Sequence, residues 1–134
     1  MSNRHLTPEA MMAKAEDACS AARLLLEHGY LDDATNRAYY AMFDAARAAL
    51  LTSGASIDLE KVRTHGGLIS AFGKYLVKNG PVAKDMGRLL NQAREARMTA
   101  DYDGARIEPE DARSIVKQAE TFVAAMRAEF MPVA

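Results

Sequence analysis

Few side chains in this sequence are spaced to do chemistry, and Arg97 is the sharpest of them. The pattern predicts a helix over about Val82–Ala100, on which Met86, Leu90, Ala93 and Ala100 form one apolar stripe. Arg97 lies on that same stripe, seven residues after Leu90 and four after Ala93. A guanidinium on a core-facing line must be paired or must face a cleft. Asp101 is four residues further on, within reach if the helix continues. An acid at a helix C-terminus gains nothing from the helix dipole. Arg97 and Asp101 therefore read either as an ion pair closing the end of a bundle or as part of a site.

Two further groups carry polar chemistry. Arg63-Thr64-His65-Gly66-Gly67 stands at the start of a predicted helix, where free backbone N–H groups can hold an anion. Arg63, Thr64 and His65 would add side-chain donors. The plainer alternative is that Thr64 caps the helix and His65 braces a neighbour. Asn36, Arg37 and Asp44 are polar residues embedded in an otherwise apolar helix, and buried polar groups need partners. They either brace adjacent helices, or Asn36, Arg37 and Tyr40 line a site. His5, His28 and His65 are scattered, without the spacing of a metal site. There is no phosphate-binding glycine loop and no nucleophile elbow. Neither a metal nor a cofactor is expected.

The elements that must position these residues are helical. Thr7-Pro8-Glu9 is a helix start, running to about Leu26 with Gly29 as its stop. A second helix runs from about Leu31–Ala34 to Thr52, and a loop occupies 54–62. A third runs from about Thr64 to Val77, before Asn79-Gly80-Pro81 breaks the chain. The fourth carries Arg97 and ends in a turn at Asp101-Tyr102-Asp103-Gly104. Glu108-Pro109-Glu110-Asp111 opens the fifth, which reaches about Phe130. Ala34, Ala38, Ala41, Ala45 and Ala49 make a smooth seam on the second helix, flanked by Tyr39, Tyr40, Met42 and Phe43. No segment alternates with the period of a half-buried strand. The expectation is an all-α, up-and-down bundle of four to five helices. It forms one domain over 1–134, with its core at about 7–128.

The chain has 134 residues, 26 of them alanine, the best helix former. Its net charge of −1 hides an uneven distribution. Residues 61–97 carry eight basic side chains and two acidic ones, among them Lys74, Lys78 and Lys84. Such a segment either meets a phosphate backbone or an acidic partner, or is a solvated face. No run of about 18 apolar residues crosses a membrane, and the first residues do not read as a secretory signal. Cys19 is alone among alanines and reads as a small buried apolar residue, so a reducing, cytoplasmic setting is expected.

Asn36-Arg37-Ala38-Tyr39-Tyr40-Ala41-Met42-Phe43-Asp44-Ala45-Ala46-Arg47 resembles the second-helix signature of HEPN domains. Three later pieces resemble one prokaryotic HEPN subfamily in the same order. They are Arg63-Thr64-His65-Gly66-Gly67-Leu68-Ile69, Phe72-Gly73-Lys74-Tyr75-Leu76-Val77-Lys78-Asn79-Gly80-Pro81 and Arg97-Met98-Thr99-Ala100-Asp101-Tyr102-Asp103. The resemblance implies a helical bundle that dimerises. It also implies a place in toxin–antitoxin or defence systems, as a metal-independent endoribonuclease or as the partner of a small nucleotidyltransferase. The family's catalytic motif is an arginine followed four to six residues later by a histidine. Arg97 matches the arginine, but Asp101 stands near the place of the histidine. A carboxylate of ordinary pKa, about 3.9, is a poor general acid at neutral pH. Three readings follow: an RNA- or nucleotide-binding or nucleotidyltransferase-partner module with a degenerate motif, a ribonuclease using Arg97 with His65 or Tyr102 in place of the histidine, and a helical scaffold dimer. The candidate binding residues are Asn36, Arg37, Tyr40, Arg63, His65, Lys74 and Lys78.

Overall fold

A computed structural model describes residues 7–102 and 106–132, with the backbone alone at 100–102. All regular elements among the described residues are helical: α1 (Pro8–Glu27), α2 (Leu31–Thr52), α3 (His65–Ala71), α4 (Lys84–Tyr102) and α5 (Pro109–Phe130). A short 3₁₀ turn, Lys61–Arg63, leads into α3. No described helix is long and apolar enough to cross a membrane.

Local chemistry explains the helix ends. The Thr7 hydroxyl accepts the Ala10 N–H at 3.1 Å, and Pro8 takes the first position, where its missing N–H costs nothing. At the other end Gly29 adopts φ +83°. That left-handed residue lets the Tyr30 N–H reach the Leu25 carbonyl while the Gly29 N–H reaches Leu26, so α1 stops and α2 starts at once. Pro109, with Glu110 and Asp111 behind it, opens α5 in the same way as Pro8 opens α1.

The core is one continuous cluster drawn from all five helices. Ala34, Ala38, Ala41, Ala45 and Ala49 are fully buried, as the smooth seam predicted. At about 100° per residue, Asn36, Tyr39, Tyr40 and Phe43 lie on the opposite side of α2. That side faces α3 and α4, leaving the alanine seam to pack on α1 and α5. Asp33 and Arg37 occupy the remaining, exposed face. Arg37 is therefore not embedded in the apolar element, because it falls between the two packed stripes. Cys19 is buried, and burial, with Glu120 and Glu16 nearby, pushes its thiol up to about 11.

Two expectations about helix ends are corrected. The third helix is regular for only seven residues and then widens into a π-helical coil, Phe72–Lys78, that keeps Phe72 and Leu76 in the core. The fourth begins at Lys84 and continues through Asp101 and Tyr102, where a turn was expected. The side chains of Asp101 and Tyr102 lie outside the described residues, as does Asp103.

Candidate functional site

The polar residues of the second, third and fourth helices meet at one place. Asn36 on α2 presents its amide oxygen to Arg97 on α4, whose Nε–H donates to it at 3.1 Å. The Arg97 guanidinium lies 5.6 Å from the ring centroid of Tyr39 and 5.3 Å from that of Tyr40. Both rings belong to α2, so this one helix grips the cation by an amide and two aromatic faces. Arg97 and Leu90 share a stripe, as predicted; Leu90 is fully buried and Arg97 is half-buried at its end.

His65, the first residue of α3, completes the cluster. Its Nδ1 shares a 2.5 Å hydrogen bond with the Tyr39 hydroxyl. The imidazole stacks on Tyr39 at 5.4 Å and lies 4.9 Å from Phe43 and 6.0 Å from Tyr40. Burial lowers the His65 pKa, and the positive charges of Arg97 and Arg94 lower it further. The ring is thus neutral at pH 7, with Nε2 as the nitrogen that has no partner among the described residues. Burial pushes the Tyr39 hydroxyl up to about 12, against the pull of Arg94 and Arg97, so it stays protonated.

Arg94 is the member that sequence reasoning missed. It stands one turn before Arg97 and is half-buried. A Cβ on Gly66 would lie 3.8 Å from one of its guanidinium nitrogens, so Arg94 runs across the glycine at the head of α3. Among the described residues it has neither a hydrogen bond nor an ion pair. The available signal was its three-residue spacing from Arg97, which puts both cations on one face. In the sequence Tyr39 reads as bulk flanking the alanine seam. Its three-residue spacing from Asn36 carried the same information.

The other candidates are placed elsewhere. Arg63 is exposed and pairs with Glu60 at 3.3 Å. The Thr64 hydroxyl accepts the Gly67 N–H and donates to the Lys61 carbonyl, so it caps α3. Arg63, Thr64 and His65 therefore do not converge on an anion at that helix start. Each is already turned to a different protein partner. Lys74 and Lys78 are exposed on the π-helical coil, and Arg88 pairs with Asp85 at 2.8 Å. The basic segment is thus divided: most of its charges are solvated, and only Arg94 and Arg97 turn inward. Asp44 is half-buried on α2, and burial raises its pKa. No group of three or more His, Cys, Asp or Glu among the described residues could hold a metal ion.

The chain is similar over most of its length to several known proteins. A candidate toxin of Methanocaldococcus jannaschii is 37% identical over 115 residues, covering 86% of this chain and 82% of that protein. A UPF0332 protein of Gloeobacter violaceus is 35% identical, over 88% of this chain and 93% of its own length. A UPF0332 protein of Thermotoga maritima is 33% identical, over 94% and 92% respectively. The family model of the HEPN domain matches residues 8–129. The chain belongs to the HEPN domain family.

Proposed function

We propose that this chain is a toxin-type HEPN protein that binds RNA, holding a backbone phosphate between Arg94 and Arg97 beside His65. The observation that carries this reading is Arg94. Arg94 is a half-buried guanidinium with no hydrogen bond or ion pair among the described residues, one turn from a second arginine, and such a group is a seat for an anion. Arginine suits phosphate because its planar fork donates two parallel hydrogen bonds. The candidate-toxin name of the jannaschii relative supports the biological class.

One observation favours a catalytic version of the same site. His65 is neutral at pH 7 and lies against the two arginines, so it could take the proton of a ribose 2′-hydroxyl as that oxygen attacks the adjacent phosphate. The new bond would be 2′-oxygen to phosphorus, the bond broken phosphorus to 5′-oxygen, and the departing 5′-oxygen would take a proton from water, giving a 2′,3′-cyclic phosphate and a 5′-hydroxyl. Arg94 and Arg97 would steady the charge gathering on the phosphoryl oxygens. His65 thus offers a substitute for the motif histidine that the sequence lacks.

The test is incubation of a mixed RNA pool with the protein in EDTA, followed by binding measurements over a salt series. Wild type is set beside Arg94→Ala, Arg97→Ala and His65→Gln. Binding that falls with salt and weakens in both arginine variants supports the phosphate site. Cleavage by wild type that His65→Gln abolishes, with RNA affinity retained, supports the nuclease version. RNA affinity equal in all four proteins refutes both.

A further inference from the structure

A cavity beside the head of α3 is lined by Gly66, the glycine that Arg94 runs across. Its volume is about 770 Å³, within the range of small-ligand sites. The loop before α3 and the π-helical coil after it form its walls. Ile57, Val62 and Ala71 give it apolar surface, Tyr75 an aromatic wall and Ser70 a hydroxyl at its edge. Lys74 lines it as well, its ammonium 5.1 Å from the Tyr75 ring centroid. Gly66 lines this cavity, and a Cβ there would lie 3.8 Å from the Arg94 guanidinium, so the cavity and the arginine are neighbours. Both Tyr75 and Lys74 come from the π-helical coil, a conformation found disproportionately at functional positions.

From this adjacency we infer that the cavity is the base-binding subsite of the RNA site: the nucleotide flanking the phosphate at Arg94 and Arg97 places its base against Tyr75. The inference rests on the phosphate reading above and adds what the site recognises beside the phosphate. A nucleobase is flat, apolar on its faces and polar at its edges, which matches an aromatic and aliphatic cleft with a hydroxyl at the rim. The Lys74 charge over the ring favours the phosphates that follow the base in either direction.

The test uses 2′-O-methyl RNA pentamers, which cannot supply an attacking hydroxyl, and matched pentamers whose sugars carry no bases. Affinities are read by fluorescence anisotropy for wild type and for Ser70→Phe. Ser70 is exposed and lines the cavity, so a phenylalanine there fills the cleft without removing core packing. Wild type is expected to prefer the base-bearing oligomer by roughly tenfold. Ser70→Phe should erase that preference while binding the baseless oligomer as wild type does. Thermal melting shows whether the variant is folded, and Tyr75→Phe, which keeps the ring, should retain the preference. If wild type binds both oligomers equally, or Ser70→Phe leaves the preference intact, the base subsite is wrong and the phosphate site stands. If wild type binds neither oligomer, both are overturned.

Discussion

Arg94 and Arg97 are two arginines one turn apart, and truncating each to alanine should affect the fold in opposite ways. Arg97→Ala removes a hydrogen bond from a charged donor to Asn36 and two cation–π contacts. Buried charged hydrogen bonds contribute roughly 1.5–3 kcal/mol and exposed cation–π pairs about 0.5–1 kcal/mol each. Arg97 is only half-buried, so water replaces part of this, and the net loss should be about 2 kcal/mol. For a chain of this size each kcal/mol moves the melting temperature by about 3–5 °C, so Arg97→Ala should melt about 6–10 °C lower. Arg94→Ala deletes no protein partner among the described residues. It relieves repulsion between guanidiniums whose Cβ atoms are about 6 Å apart, worth at most about 0.7 kcal/mol in water and less with salt.

Arg94→Ala should therefore melt within about 2 °C of wild type, above it rather than below. In RNA binding the two variants should look alike, each losing roughly tenfold in affinity and about 0.7 from the slope of log affinity against log salt. Differential scanning calorimetry and a salt series of anisotropy titrations read both quantities. The reasoning is refuted if Arg94→Ala melts as low as Arg97→Ala while its RNA affinity and salt slope match wild type. Arg94 would then be a packing residue and the cluster no anion site.

Three further outcomes are expected. Gly67→Ala should lower stability by more than about 3 kcal/mol, because its Cβ would fall 1.7 Å from the Lys61 carbonyl oxygen and the preceding turn would have to move; chemical denaturation measures this. Tyr39→Phe removes the hydroxyl that holds His65 and should melt about 3–5 °C lower, a loss of roughly 1 kcal/mol. Because the folded pKa of His65 lies below its ordinary value of 6.5, protonation favours the unfolded chain. Its stabilisation is complete above about pH 6.5 and declines as pH falls through the folded value. His65→Gln should accordingly melt with a flatter pH dependence than wild type between pH 7.5 and 5, and parallel curves would contradict the placement of that ring.

Helix boundaries set by one or two residues were legible in the sequence. Thr7 before Pro8, Gly29 after His28 and Pro109 behind Glu108 each act through a local backbone requirement, and the structure uses all of them. The alanine seam of α2 was legible because periodicity alone defines it. Arg37 was misplaced for a related reason: an arginine between two apolar stripes looks embedded in a linear reading, yet it stands with Asp33 on the exposed face. The widening of the third helix at Phe72 gave no warning, because an α-helical and a π-helical turn both bring Phe72 and Leu76 to one side. Arg94 was hidden among the eight basic residues of 61–97, since charge counting does not show which cations turn inward. That depends on where α3 starts relative to α4.

The partners that α2 supplies to this site are all electrically neutral. Asn36 holds Arg97 by an amide oxygen, and Tyr39 and Tyr40 hold it by ring faces. A carboxylate at position 36 or 40 would bind the guanidinium more strongly and would also cancel its charge. The contacts from α2 fix the cation's position without adding a counter-charge from that helix. The same holds for His65, which the arginines and burial keep uncharged, so it adds no repulsion to a pair of cations already close together. The cost is stability that a carboxylate would have added. Such an arrangement suits a cluster that an anion completes beside Arg94, the cation that has no hydrogen bond or ion pair among the described residues.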